Sequence, residues 1–186
     1  KKPLITSYAP SFEPDNDPDS RIQKPWRMDF DRFSPDGNVH FLPSTVDDAV
    51  ERTEPIPARF YSAHFAFAKG EFVKEVPHDP QYYFHGEEIS IAVRSYTHGY
   101  ELLHPHKVFL WHYYTRRGLK KHWDDHNEWG GRNDGSHKRN RKLLSMDGEV
   151  YDPEFFGIYG LGTERTLDDY ERYAGISFSR RAVQQH

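Results

Sequence analysis

Gly86-Glu-Glu-Ile-Ser-Ile-Ala-Val-Arg-Ser-Tyr-Thr-His-Gly99, running directly into Tyr100-Glu-Leu-Leu103, is the stretch that decides the fold. Ile89, Ala92, Val93 and Tyr96 recur at i, i+3, i+4 and i+7, which puts them on one face of a helix. Glu87 and Glu88 fall in its first turn, where the helix dipole favours carboxylates, and Gly99 is a stop signal. Tyr100 to Leu103 is aromatic and apolar and predicts a strand. A helix that hands its chain straight to a strand is an α/β pattern.

Outward from that unit, Val108 to Tyr113 predicts a second strand after a turn at Pro105. Upstream, Arg59 to Lys69 alternates Phe60, Ser62, His64, Ala66 and Ala68 with Tyr61, Ala63, Phe65 and Phe67, the period of a strand. Gly70 breaks it, and Glu71 to Val76 has room for one or two helical turns before Pro77 and Pro80. Beyond residue 116 the chain turns basic and helical, with Ser136 and Thr166 as N-cap candidates. Asp169 stands three residues after Thr166, and Leu167, Tyr170 and Tyr173 would face inward from the last helix. Ala9 to Pro57 is crowded with Pro, Asp and Glu and shows no sustained apolar period. It reads as an irregular arm, residues 1–57, anchored by Trp26, Phe30, Phe33, Phe41 and Leu42, ahead of a unit over 58–186.

Composition sets limits on function. Leu, Ile, Val and Phe make up only 39 of 186 residues, close to the level at which chains stop folding, but aromatics supply 16% and bury large areas each. The expectation is an ordered, aromatic-rich domain. No run approaches the roughly 20 apolar residues of a membrane helix. With no Cys, disulfides and thiolate metal sites are excluded, and a metal would have to be held by His, Asp or Glu. That absence fits a reducing compartment, and the expected location is cytoplasmic. The net charge of −4 argues against a general nucleic-acid coat, although Lys107 to Lys142 is locally basic.

The run from Glu75 to Arg116 carries the most specific pattern: Phe84-His85-Gly86-Glu87-Glu88-Ile89-Ser90, then Thr97-His98-Gly99-Tyr100, then Trp111-His112-Tyr113-Tyr114-Thr115-Arg116. Together with Arg165-Thr-Leu-Asp-Asp-Tyr-Glu-Arg-Tyr-Ala-Gly-Ile-Ser-Phe178, it resembles the GlcNAc-transferases of glycosyltransferase family 60, over roughly residues 58–178. These are distantly similar to the polypeptide GalNAc-transferases. The resemblance implies the C-terminal part of a GT-A fold, a mixed sheet with flanking helices. It also implies retaining transfer of GlcNAc or a related sugar from a UDP-sugar, with Mn²⁺ or Mg²⁺, to a hydroxyl of a protein or glycan.

The resemblance further assigns roles. Glu87 and Glu88 match an acidic motif that contacts sugar and acceptor, Glu87 being favoured. His112 matches a metal ligand, Arg116 and Arg117 would hold the diphosphate, and His64 lies on a strand comparable with one lining the sugar pocket. Read without it, the two acids are helix-dipole partners, and His112 and His64 are hydrogen-bonded strand histidines. An Asp-x-Asp metal motif at a strand end is not evident before Ala58. Asp15-Asn16-Asp17 and Asp29-Phe30-Asp31 have the letters but not the setting. The chain is therefore expected to need a preceding half-domain, or to self-associate. Other classes remain open: a metal hydrolase using His122 and His126 at i, i+4, a carbohydrate-binding module built on the abundant Trp and Tyr, and, more weakly, a single-strand nucleic-acid binder.

Overall fold

A computed structural model describes residues 2–15, 17–115 and 118–184. Strand β1, Lys2–Thr6, carries Leu4 into the core. Strands β2, Trp26–Phe33, and β3, Val39–Thr45, form an antiparallel hairpin with an irregularity between Phe30 and Arg32. Short strands β4, Ile56–Pro57, and β5, Ala66–Ala68, precede helix α1, Phe72–Glu75, and the central helix α2, Glu87–Thr97. Strand β6, Tyr100–His104, leads by a long irregular stretch to α3, Trp129–Leu143. The chain closes with α4, Pro153–Phe156, α5, Leu167–Ala174, and a small pair, β7, Ile176–Ser177, with β8, Ala182–Val183. No helix among the described residues is long and apolar enough to cross a membrane.

The main sheet runs β4-β6-β1-β5 and is mixed: β1 is parallel to β6, and the other pairings are antiparallel. Its edge strand β5 leaves Phe67 67% exposed. As expected, α2 buries Ile89, Ala92 and Val93, and it also buries Ile91, Ser95 and Arg94, so it is surrounded rather than half-exposed. Small Ser90, Ala92 and Ser95 allow close approach on several sides. Arg94 is fully buried, and among the described residues no carboxylate pairs with it directly, although the Asp79 charge favours its cationic form. Its guanidinium donates to the carbonyls of Pro77 (2.8 Å), Ile158 and Gly160 (both 3.4 Å). Those bonds offset the desolvation of the cation.

Helix α5 begins as its sequence implies. Thr166 Oγ1 accepts from the Asp169 amide and Asp169 Oδ2 from the Thr166 amide, a reciprocal box. Tyr170 is buried and donates to Arg59 O, and Tyr173 donates to Ala58 O.

Four expectations need correction. The segment expected to be irregular contains the β2–β3 hairpin; as a free pair it tolerates Pro43 inside β3 and a broken burial alternation, the features that disguise it. Of Arg59 to Lys69 only Ala66–Ala68 pairs as a strand. Upstream of it, Ser62 N–H goes to Thr6 Oγ1 and Ala63 N–H to Glu88 Oε1, so side chains replace the ladder. Val108 to Tyr113 is not a strand: His112 makes one isolated bridge to Ser11, and Phe109 is exposed and stacked on Phe65. Ser136 lies inside α3 rather than at its start, its hydroxyl accepting from the Tyr83 amide (2.5 Å).

Candidate active site

Where β1 ends, its backbone continues between two loops and ties them together. On one side Thr6 Oγ1 donates to Ser62 O (3.0 Å) and accepts from Ser62 N (2.8 Å), and Ser7 N donates to Phe65 O. On the other, His112 N donates to Pro10 O (2.9 Å), Phe12 N donates to His112 O (3.3 Å), and Tyr114 Oη donates to Ala9 O (2.7 Å). This double clamp brings together His64 and His112, 48 positions apart in the chain. Their ring centroids are 5.1 Å apart with planes tilted by 36°.

Two tyrosines frame the pair. Tyr8 meets His64 edge-on at 4.5 Å, and Tyr114 lies 4.3 Å from His112 and 5.6 Å from His64. Burial raises the pKa of both phenols, so they serve here as neutral donors and packing surfaces. Among the described residues His112 Nδ1 is buried with no hydrogen-bond partner. His64 Nδ1 faces Ser62 Oγ at 3.5 Å.

The third component comes from the start of α2. Gly86 precedes it at φ 90°, a left-handed conformation in which a Cβ would also press on the Tyr82 ring at 3.1 Å. That turn aims the two acids differently. Glu88 points inward, its Oε1 accepting the Ala63 amide at 2.8 Å, which fixes the peptide just before His64. Desolvation pushes its carboxyl up to about 7, against the pull of the Ala63 amide and with help from the Glu87 charge. Glu87 lies closer to solvent and pairs with His78 Nδ1 at 3.1 Å. Hydrogen bonding to Glu87 raises the pKa of His78 despite partial burial. Tyr61, between these groups, is pushed up to about 12 by burial and by both carboxylates.

Of the residues singled out from sequence, His64, His112 and Glu88 are thus gathered around one strand end, with Glu87 next to Glu88 on the helix. Arg116 and Arg117 lie outside the described residues. The helical face expected to carry His122 and His126 does not form. His122 sits in a 3₁₀ turn bonded to Tyr83 Oη (2.8 Å), and α3 begins only at Trp129. Among the described residues no group of three or more His, Asp or Glu side chains is arranged to hold a metal ion. Asp29, one of the Asp-x-Asp candidates, is occupied by Arg59, Arg27 and Ser44, and Asp17 caps a 3₁₀ turn.

Tyr8 and Tyr114 were given no role from sequence. Tyr114 sat unremarked within the strongest motif, and nothing local distinguishes Tyr8, whose place follows from the path of the chain after β1. A surface groove lined by Pro3, Pro57, Tyr96, Tyr100, Arg165 and Tyr173 contains none of the site residues.

The protein is a mixed α/β domain in which two imidazoles and a desolvated carboxyl lie near one strand end. Its family follows from the sequence as a whole: the chain matches the model of Glycosyltransferase (GlcNAc) over residues 1–180 and belongs to that family. No curated protein and no solved structure matches it.

Proposed function

We propose that the protein is a retaining transferase of the family-60 type, moving GlcNAc from UDP-GlcNAc to a hydroxyl acceptor, with these residues as the C-terminal part of a GT-A domain. Membership of the glycosyltransferase family is the observation that carries the reading. The meeting of His64, His112 and Glu88 beside one strand end supports it. The acceptor proposed is a protein hydroxyl, and the location proposed is cytoplasmic.

In this reading His112 holds a divalent cation, Mn²⁺ or Mg²⁺, and its buried, unpartnered Nδ1 fits such a ligand. The cation supplies neutralising charge for the departing diphosphate. Arg116 and Arg117 add paired donors to the same phosphates. Glu87, half-exposed at the start of α2, accepts from sugar hydroxyls. Glu88, turned inward, holds the 61–64 loop in place through Ala63. No nucleophile is needed: the departing phosphate takes the acceptor proton, and the protein contributes position and electrostatics. Titrating the full-length protein with UDP, with and without Mn²⁺, tests this. Metal-dependent UDP binding is expected. UDP binding that ignores the metal, or no UDP binding at all, rejects it.

A further inference from the structure

The resemblance to the GalNAc-transferases implies that His64 contacts sugar, but its position beside His112 points elsewhere. We propose that His64 and His112 together ligate one divalent transition-metal ion, so that the ion rests on two imidazoles from this chain. The inference deepens the proposed function only in the use made of the ion. The binding itself stands on the geometry.

Two imidazoles on one ion, each about 2.1 Å from it through a ring nitrogen, place their centroids roughly 4.5–5.5 Å apart at the angles of octahedral and tetrahedral sites. The observed 5.1 Å lies within that span, and the 36° tilt is not the parallel stacking of two neutral rings. His112 brings a second, independent observation, because among the described residues its Nδ1 is buried without a partner. A buried ring nitrogen that no protein group engages is available as a donor to a ligand.

The pair is also pre-positioned. His112 is held at both its backbone N and O by Pro10 and Phe12. The loop before His64 is held by Thr6 through Ser62 and by Glu88 through Ala63. Tyr8 and Tyr114 pack against the two rings and limit their rotation. These supports hold donors in place around a metal, as a binding site requires. The remaining coordination positions are left for water and for ligand oxygens, an open site rather than a closed structural one. Two nitrogen donors also predict a preference. Co²⁺, Ni²⁺ and Zn²⁺ should bind ahead of Mn²⁺, and Mg²⁺ should bind worst, in the order that imidazole sites follow.

The test is direct metal binding to the full chain, followed by calorimetry with Zn²⁺ and by visible absorption with Co²⁺. The parent should take up one equivalent. His64→Ala and His112→Ala should each weaken binding at least tenfold, and His126→Ala should bind as the parent does. Binding by His64→Ala equal to the parent's, with His112→Ala defective, overturns the role of His64 while leaving the proposed function standing. No uptake of either metal by the parent also overturns the inference, and metal-dependent UDP binding then decides the function separately. Should the variants fail to fold, the parent suffices. On adding Zn²⁺, the ring-nitrogen resonances of two histidines should shift together at one equivalent, and a single shifted histidine, or none, refutes the pair.

Discussion

Replacing His104 should change how stability depends on pH, and by a calculable amount. His104 is 1% exposed at the end of β6. Its Nδ1–H donates to Thr6 O (2.9 Å), and its Nε2 accepts from Met28 N–H (3.3 Å), joining β6, β1 and β2. Both bonds require the neutral ring, and burial depresses its pKa from 6.5 to about 4. Between those values the unfolded chain binds a proton that the folded chain refuses. The contribution is therefore complete above pH 6.5 and is lost as pH falls toward 4. A gap of about 2.5 units at about 1.4 kcal/mol each is about 3 kcal/mol.

The fold as a whole hides this effect, because Glu88 titrates with the opposite sign. Its raised pKa makes the folded state the better proton binder between 4.5 and about 7, so acidification stabilises there. Comparing parent with His104→Asn isolates the histidine. Near pH 7 the variant, which orphans the Met28 amide, should be less stable by about 1–3 kcal/mol. By pH 4 the difference should shrink by about 3 kcal/mol or reverse. Urea unfolding at several pH values measures both, and a constant gap from pH 7 to pH 4 would show that the ring is not held neutral.

Three further outcomes follow from single side chains. Glu88→Gln keeps an acceptor for Ala63 N–H and removes a desolvated charge, so it should match the parent near pH 5 and be the more stable of the two, by about 2–3 kcal/mol, near pH 8. Denaturant midpoints at both pH values check this, and a loss of stability near pH 8 contradicts it. Arg94→Met strips donors from the carbonyls of Pro77, Ile158 and Gly160 and should cost about 3 kcal/mol or more in thermal or urea unfolding, whereas a cost below about 1 kcal/mol would mean that water replaces the guanidinium. In the full-length protein His112→Ala should abolish metal stimulation of UDP-sugar use with an unchanged circular dichroism spectrum, and metal stimulation equal to the parent's removes His112 from the site.

What could be read from sequence was what local chemistry dictates. Helix α2 and strand β6 were legible because the apolar period, the acids at one end and Gly99 at the other agree. So was the capping box of α5, where Thr166 and Asp169 satisfy each other within one turn. The β2–β3 hairpin was hidden by Pro43 and by a free pair's tolerance of weak alternation. The apparent strand before Ala66 failed for a tertiary reason: Thr6 and Glu88 offered its amides better partners than a neighbouring strand did. At the site, the resemblance to the GlcNAc- and GalNAc-transferases picked out His112, Glu87, Glu88 and His64, which the residues read alone left as helix-dipole acids and strand histidines. That His64 and His112 meet depends on the segment after β1 pairing with both loops, a long-range arrangement that no local pattern encodes.

The most direct test of the account is to incubate the full-length protein with Mn²⁺ and a panel of UDP-sugars and to measure UDP release with and without a hydroxyl-bearing protein acceptor. The account predicts metal-dependent release, greatest with UDP-GlcNAc, and transfer that preserves the anomeric configuration. No turnover or hydrolysis of any UDP-sugar, or a product of inverted configuration, would contradict it.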